Sequence, residues 1–222
     1  MSSILKISAM LSMVLVAASC SYDNFDPPQS MLEGRVVYQG EPLGLRSDGV
    51  QLELWQGGYE LFQKIPLHVD QDGSFSAALF DGEYKLTLLR GNGPWLDQTD
   101  SIDVQVRGGK SLDIEVQPFY TVSAPQFNRN GSQLDASFQV NSINPVRAVE
   151  MVAVYVGRTA ILDAVRNEAN LIIPGEELDL SSPISLDINL PGNLSGRDVY
   201  VRVGVKTAGV QELIYSTVEH LQ

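Results

Sequence analysis

The chain has 222 residues and a formal charge of −12, from 15 Lys and Arg against 27 Asp and Glu. Such a balance, with no basic cluster to offset it, repels phosphate backbones and excludes a nucleic-acid partner. Cys20 is the only cysteine, so no internal disulfide is available and the folded units must be stable on their cores alone.

Residues 1–19 read as a secretory signal: Lys6, an apolar run from Ile7 to Ala18, and small residues ending at Ser19. The run falls short of the roughly 20 residues of a bilayer span. Val16-Ala17-Ala18-Ser19-Cys20 resembles a bacterial lipobox, with Ala17 in the place usually held by Leu. This resemblance implies a thioether lipid on Cys20, with several acyl chains giving stable anchoring where one would be marginal. A plain signal peptide with an incidental thiol is the alternative. Residues 20–30, with Asp23, Asp26, Pro27 and Pro28, form a polar tether.

From Met31 the hydrophobic period is two. Seven alternating segments run around Leu32–Tyr38, Val50–Leu54, Ile65–Val69, Phe75–Leu79, Tyr84–Leu88, Ile102–Val106 and Leu112–Val116. Turn signals such as Asp72-Gly73 and Gly108-Gly109 separate them, which predicts a β-sandwich over residues 31–118. Asp70-Gln71-Asp72-Gly73-Ser74 has Phe75 where a calcium loop needs glycine, so it reads as a hairpin turn.

Phe119 to Gln126, punctuated by Pro118 and Pro125, reads as a boundary. A second all-β unit over 119–222 follows, with strands at Leu134–Val140, Val149–Val156, Ile184–Leu190, Val199–Val205 and Leu213–Val218. Thr159–Arg166, with a cap residue and apolar Ile161, Leu162 and Val165, predicts one or two helical turns. The fold class is therefore all-β, two consecutive antiparallel β-sandwiches.

Gly34-Arg35-Val36-Val37, Gly40-Glu41-Pro42-Leu43, Val50-Gln51-Leu52, Asp72-Gly73-Ser74-Phe75 and Gly82-Glu83-Tyr84 resemble, in order and spacing, the carboxypeptidase-regulatory, transthyretin-like domain. Val199-Tyr200-Val201-Arg202-Val203 before Gly209 resembles the last hairpin of an immunoglobulin or fibronectin type III sandwich. Over the whole mature chain, and most clearly over Tyr22–Pro118 with its runs Tyr22–Pro27 and Leu86–Trp95, the sequence is similar to a Bacteroidetes lipoprotein family, domain of unknown function 3823. That resemblance implies an outer-membrane lipoprotein facing the cell surface, near glycan uptake by a TonB-dependent porin and its substrate-binding lipoprotein. It brings no catalytic residues.

Only His68 and His220 could act as imidazole bases, and neither sits in a hydrolase or nucleotide motif. No enzyme activity, cofactor or metal site is therefore expected. The candidate ligand residues are aromatic and amide or acidic: Trp55, Tyr59, Asn92, Trp95 and Asp97. Exposed rings stack on sugar C–H faces while Asn and Asp take hydroxyls, so the ligand they suit is a polysaccharide. Trp55 falls in phase with Gln51 and Glu53, outside the core, and either binds ligand or packs on the second domain. Trp95, on a glycine-rich loop, either binds ligand or plugs one end of the sandwich. The role expected is a non-enzymatic accessory in glycan capture, the alternative a scaffold of the cell-envelope complex that touches no sugar.

Overall fold

The computed structural model describes residues 26–58 and 63–222. Cys20 and Tyr59 lie outside the described residues, as do the signal peptide and most of the tether.

The first sandwich comprises β1 (Ser30–Tyr38), β2 (Glu41–Pro42), β3 (Gln51–Gln56), β4 (Lys64–His68), β5 (Ser74–Leu79), β6 (Gly82–Leu88), β7 (Ile102–Val106), β8 (Lys110–Ser111) and β9 (Ile114–Glu115). One sheet runs β2-β1-β5 with β8 and β9 also on β1; the other runs β4-β3-β6-β7. Alternation decides the packing: Leu52, Leu54 and Leu86 are wholly buried while their neighbours Glu53 and Lys85 face out. Pairing is antiparallel except that β8 and β9 run parallel to β1. The chain leaves β7 in one sheet and returns along β1 in the other, so the strict antiparallel expectation fails over these short segments. Between β8 and β9 the backbone arches past Gly34, where Leu112 N–H donates to the Glu33 carbonyl at 2.9 Å.

Asp70–Ser74 is the expected hairpin turn. Gly73 has φ 82°, and the Asp72 carboxylate accepts from the Ser74 hydroxyl at 2.7 Å and its N–H at 3.1 Å. The Ser74 hydroxyl chiefly holds the Asp72 carboxyl below its ordinary value of 3.8. A carboxylate lowered on folding stabilises above its unfolded pKa and loses that contribution as pH falls through the folded one. Asp72→Asn is thus expected to lower stability at pH 7 by less than about 1 kcal/mol, this turn being largely open to solvent. Urea titrations at pH 7 and at a pH below 3.8 should show the gap between variant and wild type narrowing at the lower one. An equal gap at both pH values would contradict this role.

The second sandwich comprises β10 (Tyr120–Asn130), β11 (Gln133–Ser142), β12 (Val149–Gly157), β13 (Ala169–Pro174), β14 (Ile184–Asn189), β15 (Val199–Thr207), β16 (Ile214–Tyr215) and β17 (Glu219–Leu221). Its sheets are β10-β11-β14 and β13-β12-β15-β16, with β17 also on β15. The segment read as a boundary is in fact the 11-residue strand β10. Pro125 is accommodated because the β10–β11 register slips between Ser123 and Gln126, with Ala124 at φ 48°. A bulge is where a strand tolerates a residue without an N–H. The edge strand β13 has no counterpart in the sequence reading.

No helix forms at Thr159–Arg166. Asp163, 1% exposed, turns its carboxylate onto the N–H groups of Val165 and Arg166, both at 2.8 Å, and fixes an irregular loop instead. This side-chain capture of backbone donors competes directly with the helical ladder.

The two sandwiches share one continuous buried apolar cluster. Arg202 on β15, 1% exposed, lies at their seam. Its guanidinium donates to the carbonyls of Leu45 (2.8 Å) and Gln71 (2.7 Å) in the first sandwich and of Ser216 (2.7 Å) and Leu162 (3.2 Å) in the second. It also lies 4.5 Å from the Tyr215 ring centroid. Arg46 grips the buried Glu212 bidentately at 2.8 and 2.5 Å, and Tyr215 N–H donates to the Gly44 carbonyl at 2.9 Å. These ties join the units into one body.

Candidate functional site

The β4-β3-β6-β7 sheet presents an outer face on which cross-strand pairing sets one row of side chains: Lys64, Trp55, Lys85 and Asp103. Trp55 is half-buried there, as its polar phase required. Its indole N–H donates to the Thr87 hydroxyl at 3.2 Å, which fixes the ring's position on the sheet. A groove of about 790 Å³ opens beside it, lined by Trp55, Gly57, Glu83, Lys85, Asp103 and Gln105, with Tyr84 and Val104 as its floor. Lys85 pairs with Asp103 at 2.6 Å and Lys64 with Glu53 at 2.5 Å. A planar apolar ring is therefore ringed by donors and acceptors on a rigid element.

The other sequence candidates are not brought to this face. Trp95 is 4% exposed, bridged to Pro118, and packed so closely under Gly93 that a Cβ there would lie 2.2 Å from the indole. It is a plug in the buried apolar cluster, and it offers no ligand platform because no ring face reaches solvent. Asn92 is likewise structural: its Oδ1 accepts from Gln51 N–H at 2.6 Å and its Nδ2 donates to the Gly49 carbonyl at 3.0 Å. Both groups of its amide are thereby spent on the start of β3, four residues or roughly 13 Å from Trp55. Asp97 is exposed but its carboxylate accepts from Gly91 N–H at 2.8 Å, closing the same loop.

The residues that sequence reasoning missed are Glu83, Lys85, Thr87, Asp103 and Gln105. Their signal was present as the polar phase of β6 and β7; only the strand register, which the sequence does not print, puts them beside Trp55.

Among the described residues, neither histidine is set against a serine, threonine or cysteine. His68 is exposed, and His220 stacks on Tyr200 at a centroid distance of 4.8 Å with Asp198 3.4 Å away. Among the described residues no group of three or more His, Cys, Asp and Glu is placed to hold a metal ion. The lowered carboxylates have local causes: the Ser30 hydroxyl on Asp81, the Arg158 guanidinium on Glu168, the Ser181 hydroxyl on Asp179.

The architecture is two tied β-sandwiches with an aromatic groove on the outer face of one sheet. The chain belongs to the family of unknown function DUF3823: the model of its N-terminal domain matches residues 30–117 and that of its C-terminal domain residues 120–220. A DUF3823 family protein from Parabacteroides merdae is 38% identical, with 89% of this chain and 100% of that one covered and a TM-score of 0.82. One from Bacteroides ovatus is 35% identical, with 86% and 97% covered and a TM-score of 0.80. A Bacteroides uniformis protein provisionally described as carbohydrate-binding shares the fold at 16% identity, with 88% and 99% covered and a TM-score of 0.72. No curated protein matches the chain.

Proposed function

We propose that the protein is a non-catalytic accessory of glycan capture, held at the outer surface of the outer membrane by lipid on Cys20 and acting beside a TonB-dependent porin and its substrate-binding lipoprotein. The observation that carries the binding role is Trp55, an indole fixed by Thr87 and flanked by charged and amide side chains in an open groove. The description of the B. uniformis fold relative supports the same ligand class.

Calorimetry of the mature chain against a polysaccharide panel tests this reading. Trp55→Ala is expected to weaken the bound glycan about ten-fold or more, and Trp55→Phe, which keeps a ring, by less. Equal affinity in wild type and Trp55→Ala would remove the groove from binding. Mass spectrometry of membrane-extracted protein tests the anchor, an unmodified Cys20 being the contrary result.

The scaffold reading has one observation in its favour: Val165 and Ile161, 73% and 49% exposed, on the loop that Asp163 fixes. Co-purification of a porin with a chain that binds no glycan would favour it.

A further inference from the structure

We propose that the cleft between the two sandwiches is a second ligand site, one that takes a short stretch of an uncharged oligosaccharide. The cleft measures about 510 Å³ and shares no residue with the Trp55 groove. One wall is the β1–β2 turn, with Tyr38 and Gln39; the other is the start of β10 and end of β11, with Thr121, Ser123 and Asn141. Volumes of this size at domain boundaries are where small-ligand sites concentrate.

Its chemistry is selective. Among the described residues Glu41 is the one charged side chain in the lining and no Lys, Arg or His contributes, so an anion finds no compensation there. Neutral hydrogen-bonding groups converge instead. Asn141 Nδ2 donates to the hydroxyls of Thr121 at 3.2 Å and Ser123 at 2.9 Å. Both amide hydrogens are then used, which leaves Asn141 Oδ1 as an acceptor and the two O–H groups as donors. On the other wall Gln39 Nε2 donates to the Tyr38 hydroxyl at 3.1 Å and fixes the end of that ring. Acceptor, donors and an aromatic ring in one lining suit the hydroxyls and C–H faces of a sugar.

Backbone geometry points to the same place. Three described residues other than glycine have positive φ, and two of them border this cleft: Gln39 at 53° in the β1–β2 turn and Ala124 at 48° in the bulge that follows Ser123. Bulges re-aim side chains beside functional sites, and such conformations persist where the surroundings over-determine them. The floor is rigid, since Gly44 bridges Tyr215 there, so the walls are pre-organised and little ordering cost remains for a ligand.

The test uses the mature chain carrying Trp55→Ala, which silences the groove, titrated by calorimetry with maltohexaose, cellohexaose, xylohexaose, mannohexaose and, as charged control, hexagalacturonate. One site per chain for an uncharged hexaose is expected to remain. Gln39→Ala with Ser123→Ala, both exposed positions, should weaken it about ten-fold, as should Asn141→Ala. Failure of the Trp55→Ala chain to bind any uncharged hexaose, unchanged affinity in the exposed double variant, or equal binding of hexagalacturonate would each overturn the proposal. Wild-type affinity in Trp55→Ala alone would instead count against the groove.

Discussion

Arg202→Ala is expected to destabilise the protein by about 3–5 kcal/mol, a large share of the roughly 5–15 kcal/mol that holds a domain folded. The side chain is 1% exposed and serves four carbonyls drawn from both sandwiches. Truncation strands those largely buried carbonyls and opens a cavity against Tyr215, so two costs add. Burial drives the guanidinium pKa down to about 10, still well above neutrality, so the cation persists with the charges of Asp163 and Asp72 and the Tyr215 ring to offset desolvation. Arg202→Met should fall nearly as far, because it fills the volume but satisfies no carbonyl. Arg202→Lys should fall less, since an ammonium reaches some of the four. Urea unfolding followed by tryptophan fluorescence reads the loss, and limited proteolysis reads whether the seam opens. A loss below about 1 kcal/mol for Arg202→Ala would mean that the seam is held elsewhere.

Gly34→Ala is expected to cost about 3 kcal/mol or more, through a clash rather than a lost contact. A Cβ at this position would lie 1.8 Å from the Leu112 carbonyl oxygen and 2.7 Å from Phe75 Cζ. The ring could turn, but the carbonyl belongs to the arch between β8 and β9. Moving it breaks the Leu112–Glu33 hydrogen bond and loosens the parallel pairings Leu32–Lys110 and Val36–Ile114 on either side. The expected signature is a lower urea midpoint with an unchanged slope, and a wild-type midpoint would contradict the close approach.

Gly34 also shows how far the sequence could be read. It stood in a run that resembles a known domain, yet its physical reason, a backbone passing overhead from 78 residues later, is tertiary. Period-two alternation located β1, β3 to β7, β11, β14 and β15, and a nearly unbroken apolar run located β12. It failed at β10, where Pro125 imitates a boundary that a bulge absorbs, and at β13, whose apolar run ends in Pro174. The 3.6-residue pattern at Thr159–Arg166 was overridden by the Asp163 carboxylate.

The site was legible in part. Phase alone placed Trp55 outside the core, and of the two readings of Trp95 the structure takes the plug, whereas Asn92 was misjudged because a loop's partners, Gln51 and Gly49, are invisible in its own sequence. Arg202 was hidden for a related reason: an alternating strand such as β15 implies one solvent face, and here the second sandwich face is covered by the first.

The central claim is that glycan stacks on Trp55. The chain has two tryptophans, one half-buried in the groove and one 4% exposed in the core, so the indole N–H region of an ¹⁵N NMR spectrum holds one reporter of each kind. Titration with the tightest-binding glycan of the polysaccharide panel should move the Trp55 resonance and leave that of Trp95 in place. Saturated binding with an unmoved Trp55 resonance would contradict the account.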